Sequence, residues 1–145
     1  EQASGDVRRE HTLAAGEVLR AVEIPALGPG ESESYLKVKQ KQSFDWPLAE
    51  VAVLLRRGPQ PEARIVLGAA APVPWRARAA EDLLRPLLSR GAPPSAAELA
   101  RVGAAAVGGA RPLLRNGYKV ALFSNLVPRA IARALRGDAH EEESP

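Results

Sequence analysis

Three of the four lysines, Lys37, Lys39 and Lys41, occupy alternate positions in Tyr35-Leu36-Lys37-Val38-Lys39-Gln40-Lys41. Alternate residues of a strand share one side, so Tyr35 and the three ammonium groups form one row. Leu36, Val38 and Gln40 form the other. An ammonium on such a row carries three N–H donors on a compact charge, suited to an anionic or carbonyl atom of a ligand. Most strand lysines only face water, and residue type alone favours that role for Lys37. Other chemistries are ruled out by count. No cysteine is present, which removes disulfides, thiolate metal sites and iron–sulfur ligation. His11 and His140 lie near opposite ends, outside any core segment, so neither a metal cluster nor a Ser/His/Asp set can be assembled. There is no G-x-G-x-x-G and no Walker sequence. The chain is not expected to be catalytic on its own.

The elements around that row read as a sheet followed by helices. Glu17 to Ile24 alternates and is halted by Pro25, which predicts a first strand. Val18, Val22 and Ile24 would face the core, leaving Leu19 on the opposite side, either packed under a loop or exposed to a ligand. Residues 26–34 are rich in Gly, Pro, Glu and Ser and read as a loop. The lysine strand, Tyr35 to Gln42, ends in Ser43-Phe44-Asp45-Trp46-Pro47, where Asp45 and Pro47 demand a bend. Strands over 49–57 and 62–70 follow. Short links between successive strands predict an antiparallel sheet rather than βαβ units.

After Ala71 the period becomes helical. A helix is predicted from Arg76, ended or kinked at Pro86. Ser95-Ala96-Ala97-Glu98 is a capping box opening a helix of small residues to about Ala106, which should pack close to a neighbour. The last helix, Tyr118 to Arg136, is preceded by a candidate cap at Asn116. Its two apolar stripes predict burial against both the sheet and another helix, with a kink at Pro128. The fold class is therefore α+β: three to four antiparallel strands, then about three helices on one face.

Composition agrees with one domain: the chain has 145 residues with 46% hydrophobic content, near the common domain size of about 100–150. With two each of Trp, Tyr and Phe, the core must be built from Ala, Val and Leu. Sixteen of the twenty basic residues are arginine, interspersed with seventeen acids and without interleaved aromatics, so no nucleic-acid partner is expected. No apolar run approaches the ~20 residues of a membrane helix, so no membrane insertion is expected. Residues 1–12 read as a flexible arm from an upstream segment, 13–136 as the domain and 137–145 as a disordered acidic tail. The start at Glu1 fits a fragment or processed product.

Several stretches together resemble a known family. Lys37, Lys41 and Asp45 at four-residue intervals precede Ala49-Glu50-Val51-Ala52-Val53. Leu67-Gly68 runs on to Pro74-Trp75-Arg76-Ala77-Arg78-Ala79-Ala80-Glu81. Asn116-Gly117-Tyr118-Lys119-Val120, Gly16-Glu17-Val18-Leu19 and Glu23-Ile24-Pro25 complete the set. In this order, over about Leu13 to Leu135, they are similar to the C-terminal domain of the FAD-binding (medium) subunit of the xanthine dehydrogenase and carbon monoxide dehydrogenase family, the molybdenum hydroxylases. The family usually has Arg where this chain has Lys41, and commonly Arg where it has Pro128.

The resemblance implies a domain that helps enclose FAD, with Leu19 against the flavin ring and Lys37 at its pyrimidine edge. A cation there would favour the reduced flavin. It implies that the FAD pyrophosphate is held by an upstream FAD-binding domain. It further implies a small iron–sulfur subunit and a large subunit carrying the molybdenum cofactor as partners, NAD or another acceptor for the electrons, and a cytoplasmic setting. The arginines at 76 and 78 are candidates for facing those partners. The alternative is a free-standing α+β protein-interaction module that meets no cofactor.

Overall fold

The computed structural model describes residues 11–41 and 45–137. Four strands form one antiparallel sheet in the order β1-β2-β3-β4: β1 (Glu31–Val38), β2 (Ala49–Arg56), β3 (Glu62–Gly68) and the short β4 (Trp75–Arg76). Three helices follow, α1 (Arg78–Leu88), α2 (Ala96–Ala106) and α3 (Tyr118–Arg136).

Alternation in β2 and β3 decides which side of the sheet is covered. Ala49, Val51, Val53 and Leu55, with Ala63, Ile65 and Leu67, all point to one side and are buried. On that side α3 lies over β1 and β2, and α1 lies over β3. Leu84 and Leu87 of α1 and Phe123, Val127 and Ile131 of α3 close the core. Each such side chain removed from water stabilises the fold by about 1.5–3 kcal/mol. Helix α2 packs on α1 and α3 as an outer layer.

The small-residue helix does approach closely, and two residues explain how. Pro128 has no N–H to give the Ser124 carbonyl, so that oxygen faces outward from the α3 ladder. The α2 backbone at Gly103 lies against it: a Cβ added to Gly103 would collide with the Ser124 oxygen and stand 2.8 Å from Pro128 Cγ. Helix α2 begins as its sequence predicts, with Ser95 Oγ accepting from the Glu98 N–H and Glu98 accepting from the Ser95 N–H. Those bonds, with Arg90, hold the Glu98 carboxyl down at about 2.

Four expectations need correction. Residues 17–24 form no strand, and Val18, Val22 and Ile24 are 84%, 72% and 87% exposed rather than in the core. Alternation makes a segment amphipathic, but its backbone also needs a neighbouring strand to bond; no strand of the described residues pairs with it. Residues 31–34, read as loop, are the first half of β1, because Glu31 to Ser34 pair with Val53 to Arg56. Ser34 then points into the core and donates to the Ala130 carbonyl of α3 at 2.7 Å. The helix expected from Arg76 starts at Arg78 and runs through Pro86 to Leu88. Asn116 does not cap α3; its Oδ1 accepts from the Leu113 N–H. The chain beyond Gly137, read as an acidic tail, and residues 1–10 of the arm lie outside the described residues.

Candidate functional site

The side of the sheet away from the helices is open. Glu33, Tyr35 and Lys37 point there from β1, Glu50, Ala52 and Leu54 from β2, and Arg64, Val66 and Gly68 from β3, none of them buried. Register aligns Lys37 with Glu50 and Glu50 with Gly68, which makes one row across three strands. Gly68 matters to this row through the side chain it lacks. A Cβ there would stand 2.5 Å from Glu50 Oε2 and 2.9 Å from Glu50 Cβ, so the glycine leaves room for the Glu50 carboxylate to lie over the sheet.

That carboxylate organises its neighbours. The Tyr35 hydroxyl donates to Glu50 Oε1 at 2.6 Å, and Lys37 Nζ lies 4.0 Å from the same oxygen. At 4.0 Å the ammonium is attracted but not hydrogen-bonded, so its N–H donors are not spent on Glu50. Partial burial, then the bond to Glu50 and its charge, push the Tyr35 hydroxyl up to about 12. Tyr35 is therefore a neutral donor at any physiological pH. The result is a half-exposed ammonium held in place beside a carboxylate and a phenol, above the small and aliphatic surface of Ala52, Leu54, Val66 and Gly68.

Of the two residues singled out for a ligand, Lys37 stands in this row. Leu19 does not: it sits in the irregular segment before β1, 66% exposed, and no sheet register joins it to Lys37. Reading the sequence missed Glu50. Its signal is the apolar run Ala49, Val51, Val53, Leu55, which puts Glu50 on the opposite side of β2 and hence on the side of Lys37. Asp45 is the turn former it was read as, its carboxylate accepting from the Lys41 and Trp46 N–H groups.

The arginine-to-glutamate segment after Pro74 has a structural explanation. Glu81 is buried, and its Oε1 accepts from the Ile65 N–H at 2.9 Å and from Arg76 Nε at 2.8 Å. Its Oε2 accepts from the second arm of Arg76 at 3.1 Å. The carboxylate thus takes a strand N–H of β3 that the two-residue β4 leaves bare, and Arg76 neutralises it. Arg76 is held by Glu81 while its side chain stays 40% exposed, and Arg78 is exposed as well. Among the described residues no group of three or more His, Cys, Asp or Glu could hold a metal ion, and no helix is long and apolar enough to cross a membrane.

No protein-family model matches the chain, and no curated protein matches it. Solved structures do. One is a chain of a carbon monoxide dehydrogenase from Hydrogenophaga pseudoflava, in a form lacking the Mo-pyranopterin moiety of the molybdenum cofactor. It is 30% identical, with a TM-score of 0.65 over 80% of this chain and 40% of that one. A reconstituted CO dehydrogenase from Oligotropha carboxidovorans is 26% identical, with a TM-score of 0.64 over 79% of this chain and 40% of that one. Quinoline 2-oxidoreductase from Pseudomonas putida 86, at 22% identity and a TM-score of 0.60 over 77% and 39%, shares the fold. The chain spans about 40% of the length of these relatives. Its antiparallel sheet with three helices is thus a fold found within CO dehydrogenase chains.

Proposed function

We propose that this chain is the C-terminal domain of the FAD-bearing subunit of a molybdenum hydroxylase. The observation that carries the reading is the open sheet face with Lys37 upon it, in a fold shared with CO dehydrogenase chains. That face fits a flat ring beside the Glu50 carboxylate: Ala52 is small, Leu54 and Val66 are aliphatic, and Lys37 is a cation whose donors are not spent on Glu50. FAD, when bound, would supply the relay of electrons from iron–sulfur clusters to NAD or another acceptor. Lys37 would donate to the polar edge of the ring and place a positive charge there, which favours the reduced form. Glu50 and Tyr35 would keep the Lys37 stem from swinging into water. Leu19, already free of the core, would cover the ring from the segment before β1. An upstream domain would hold the rest of the FAD, and the small iron–sulfur and large molybdenum subunits would complete the assembly.

Expression of this chain joined to the residues encoded just before it tests the reading. A yellow protein with flavin absorbance, released as FAD on denaturation, is the expected outcome. A colourless, folded product that takes up no added FAD would refute it and leave the free-standing interaction module.

A further inference from the structure

The helix side of the molecule holds a second feature, one that owes nothing to the flavin reading. A cleft of about 850 Å³ opens where the start of α1, the end of α2 and the start of α3 converge with the loop after β3. Its volume lies within the roughly 300–1,000 Å³ of small-molecule pockets. Its lining includes Val73, Pro74 and Trp75 together with Arg78, Arg111 and Lys119, and no Asp or Glu of the described residues lines it. Arg76 also borders the cleft, but its guanidinium is committed to Glu81.

We propose that this cleft binds a phosphate monoester carrying a flat ring, of mononucleotide size. Three cations line this one cleft, and among the described residues no carboxylate lines it with them. Arg78 and Arg111 make no side-chain hydrogen bond or ion pair among the described residues. Lys119 Nζ donates to the Ala69 carbonyl at 2.9 Å, where the backbone turns through a left-handed φ of 58°. That bond holds the ammonium in place and leaves it two further N–H groups. A single carboxylate would balance one of these charges. A phosphate dianion balances two, and its three terminal oxygens match the paired N–H forks of two guanidinium groups.

The ring is argued from Trp75. Trp75 is 53% exposed on the short edge strand and, with Val73 and Pro74, supplies apolar lining to the cleft that the cations also line. A flat ligand stacked there would cover surface that is now wet and gain the offset-stacking attraction of an aromatic pair. The carbonyl end of α2, which would repel an anion, is closed from within: the Val107 N–H donates to the carbonyls of Ala104 and Ala105.

The test uses the chain with Trp46→Phe, so that Trp75 is the only indole. Adenosine 5′-monophosphate, adenosine and inorganic phosphate are titrated separately at low salt. Binding is followed by Trp75 fluorescence, by calorimetry and by amide chemical shifts. The monophosphate is expected to quench Trp75 saturably and to move the amides of Arg78, Arg111 and Lys119, with adenosine and phosphate each at least about tenfold weaker. Arg78→Gln with Arg111→Gln should weaken the monophosphate by about tenfold or more, with the circular dichroism unchanged. Trp75→Leu should reduce it to the affinity of inorganic phosphate. The proposal is overturned by any of three results. One is no saturable binding up to about 10 mM monophosphate. Another is equal affinity in the folded double-glutamine variant. The third is amide shifts confined to the outer face of β1 and β2.

Discussion

The two sides of the same sheet are built by different physics. On the helix side, every second residue of β2 and β3 is Ala, Val, Leu or Ile and is sealed from water. Nothing polar from those two strands is asked to do anything there. On the other side the same strands carry Glu50, Arg56, Glu62 and Arg64, paired across the surface: Arg56 and Arg64 each meet Glu62 at 2.8 and 2.7 Å. The first side supplies stability and tolerates little change. The second contributes little to stability, since exposed ion pairs are worth about 0–1 kcal/mol, and is correspondingly free to carry a site.

The widest separation of the two sides should come from neighbouring residues on β3. Ile65→Ala, on the sealed side, should cost about 2–5 kcal/mol in denaturant unfolding. Val66→Ala, one residue on, should cost about 1 kcal/mol or less. Equal losses would mean that the open face is covered by something else. Glu81→Ala comes next: it strips the Ile65 N–H and Arg76 of their acceptor, and a loss of about 2–3 kcal/mol is expected.

A smaller effect has the opposite sign. Ser32, on the helix side of β1, buries its Oγ without a partner among the described residues. Ser32→Ala should therefore stabilise the fold by about 1 kcal/mol, read as a higher midpoint at unchanged m-value. The smallest effect is a titration on the open face. Tyr35 is neutral when protonated and its folded pKa lies above its ordinary value of 10.0, at about 12. Its contribution to stability is thus complete below about pH 10 and is lost as pH rises through about 12. Glu50→Gln should bring the phenol back toward 10.0 in an ultraviolet titration. A phenol unmoved by that change would show that Glu50 does not hold it.

The sealed side was largely legible in the sequence. Periodicity placed β2, β3 and α3 within a residue or two, and the capping box marked the start of α2. The two strand errors share one cause: a partner in space that sequence periodicity does not encode. The segment from Glu17 to Ile24 alternates as well as β1 does yet finds no strand beside it. The Glu-Ser-Glu-Ser stretch alternates with no apolar residue at all and is nevertheless drawn into β1 by β2. The open side was half legible. The row of Lys37, Lys39 and Lys41 was visible, but only the resemblance picked out Lys37, whereas Glu50 gains meaning only through register with Lys37 and through the missing side chain of Gly68. Leu19 carries its proposed role from resemblance alone.

The central claim is that the Lys37 ammonium faces a flavin across the open sheet. The reduction potential of the flavin in the protein joined to its preceding residues, compared between wild type and Lys37→Ala, tests it most directly. Loss of a cation at the ring edge should lower the two-electron potential by about 30 mV, equivalent to about 1.4 kcal/mol. Bound FAD with the same potential in both proteins would contradict the assignment of Lys37 to the ring.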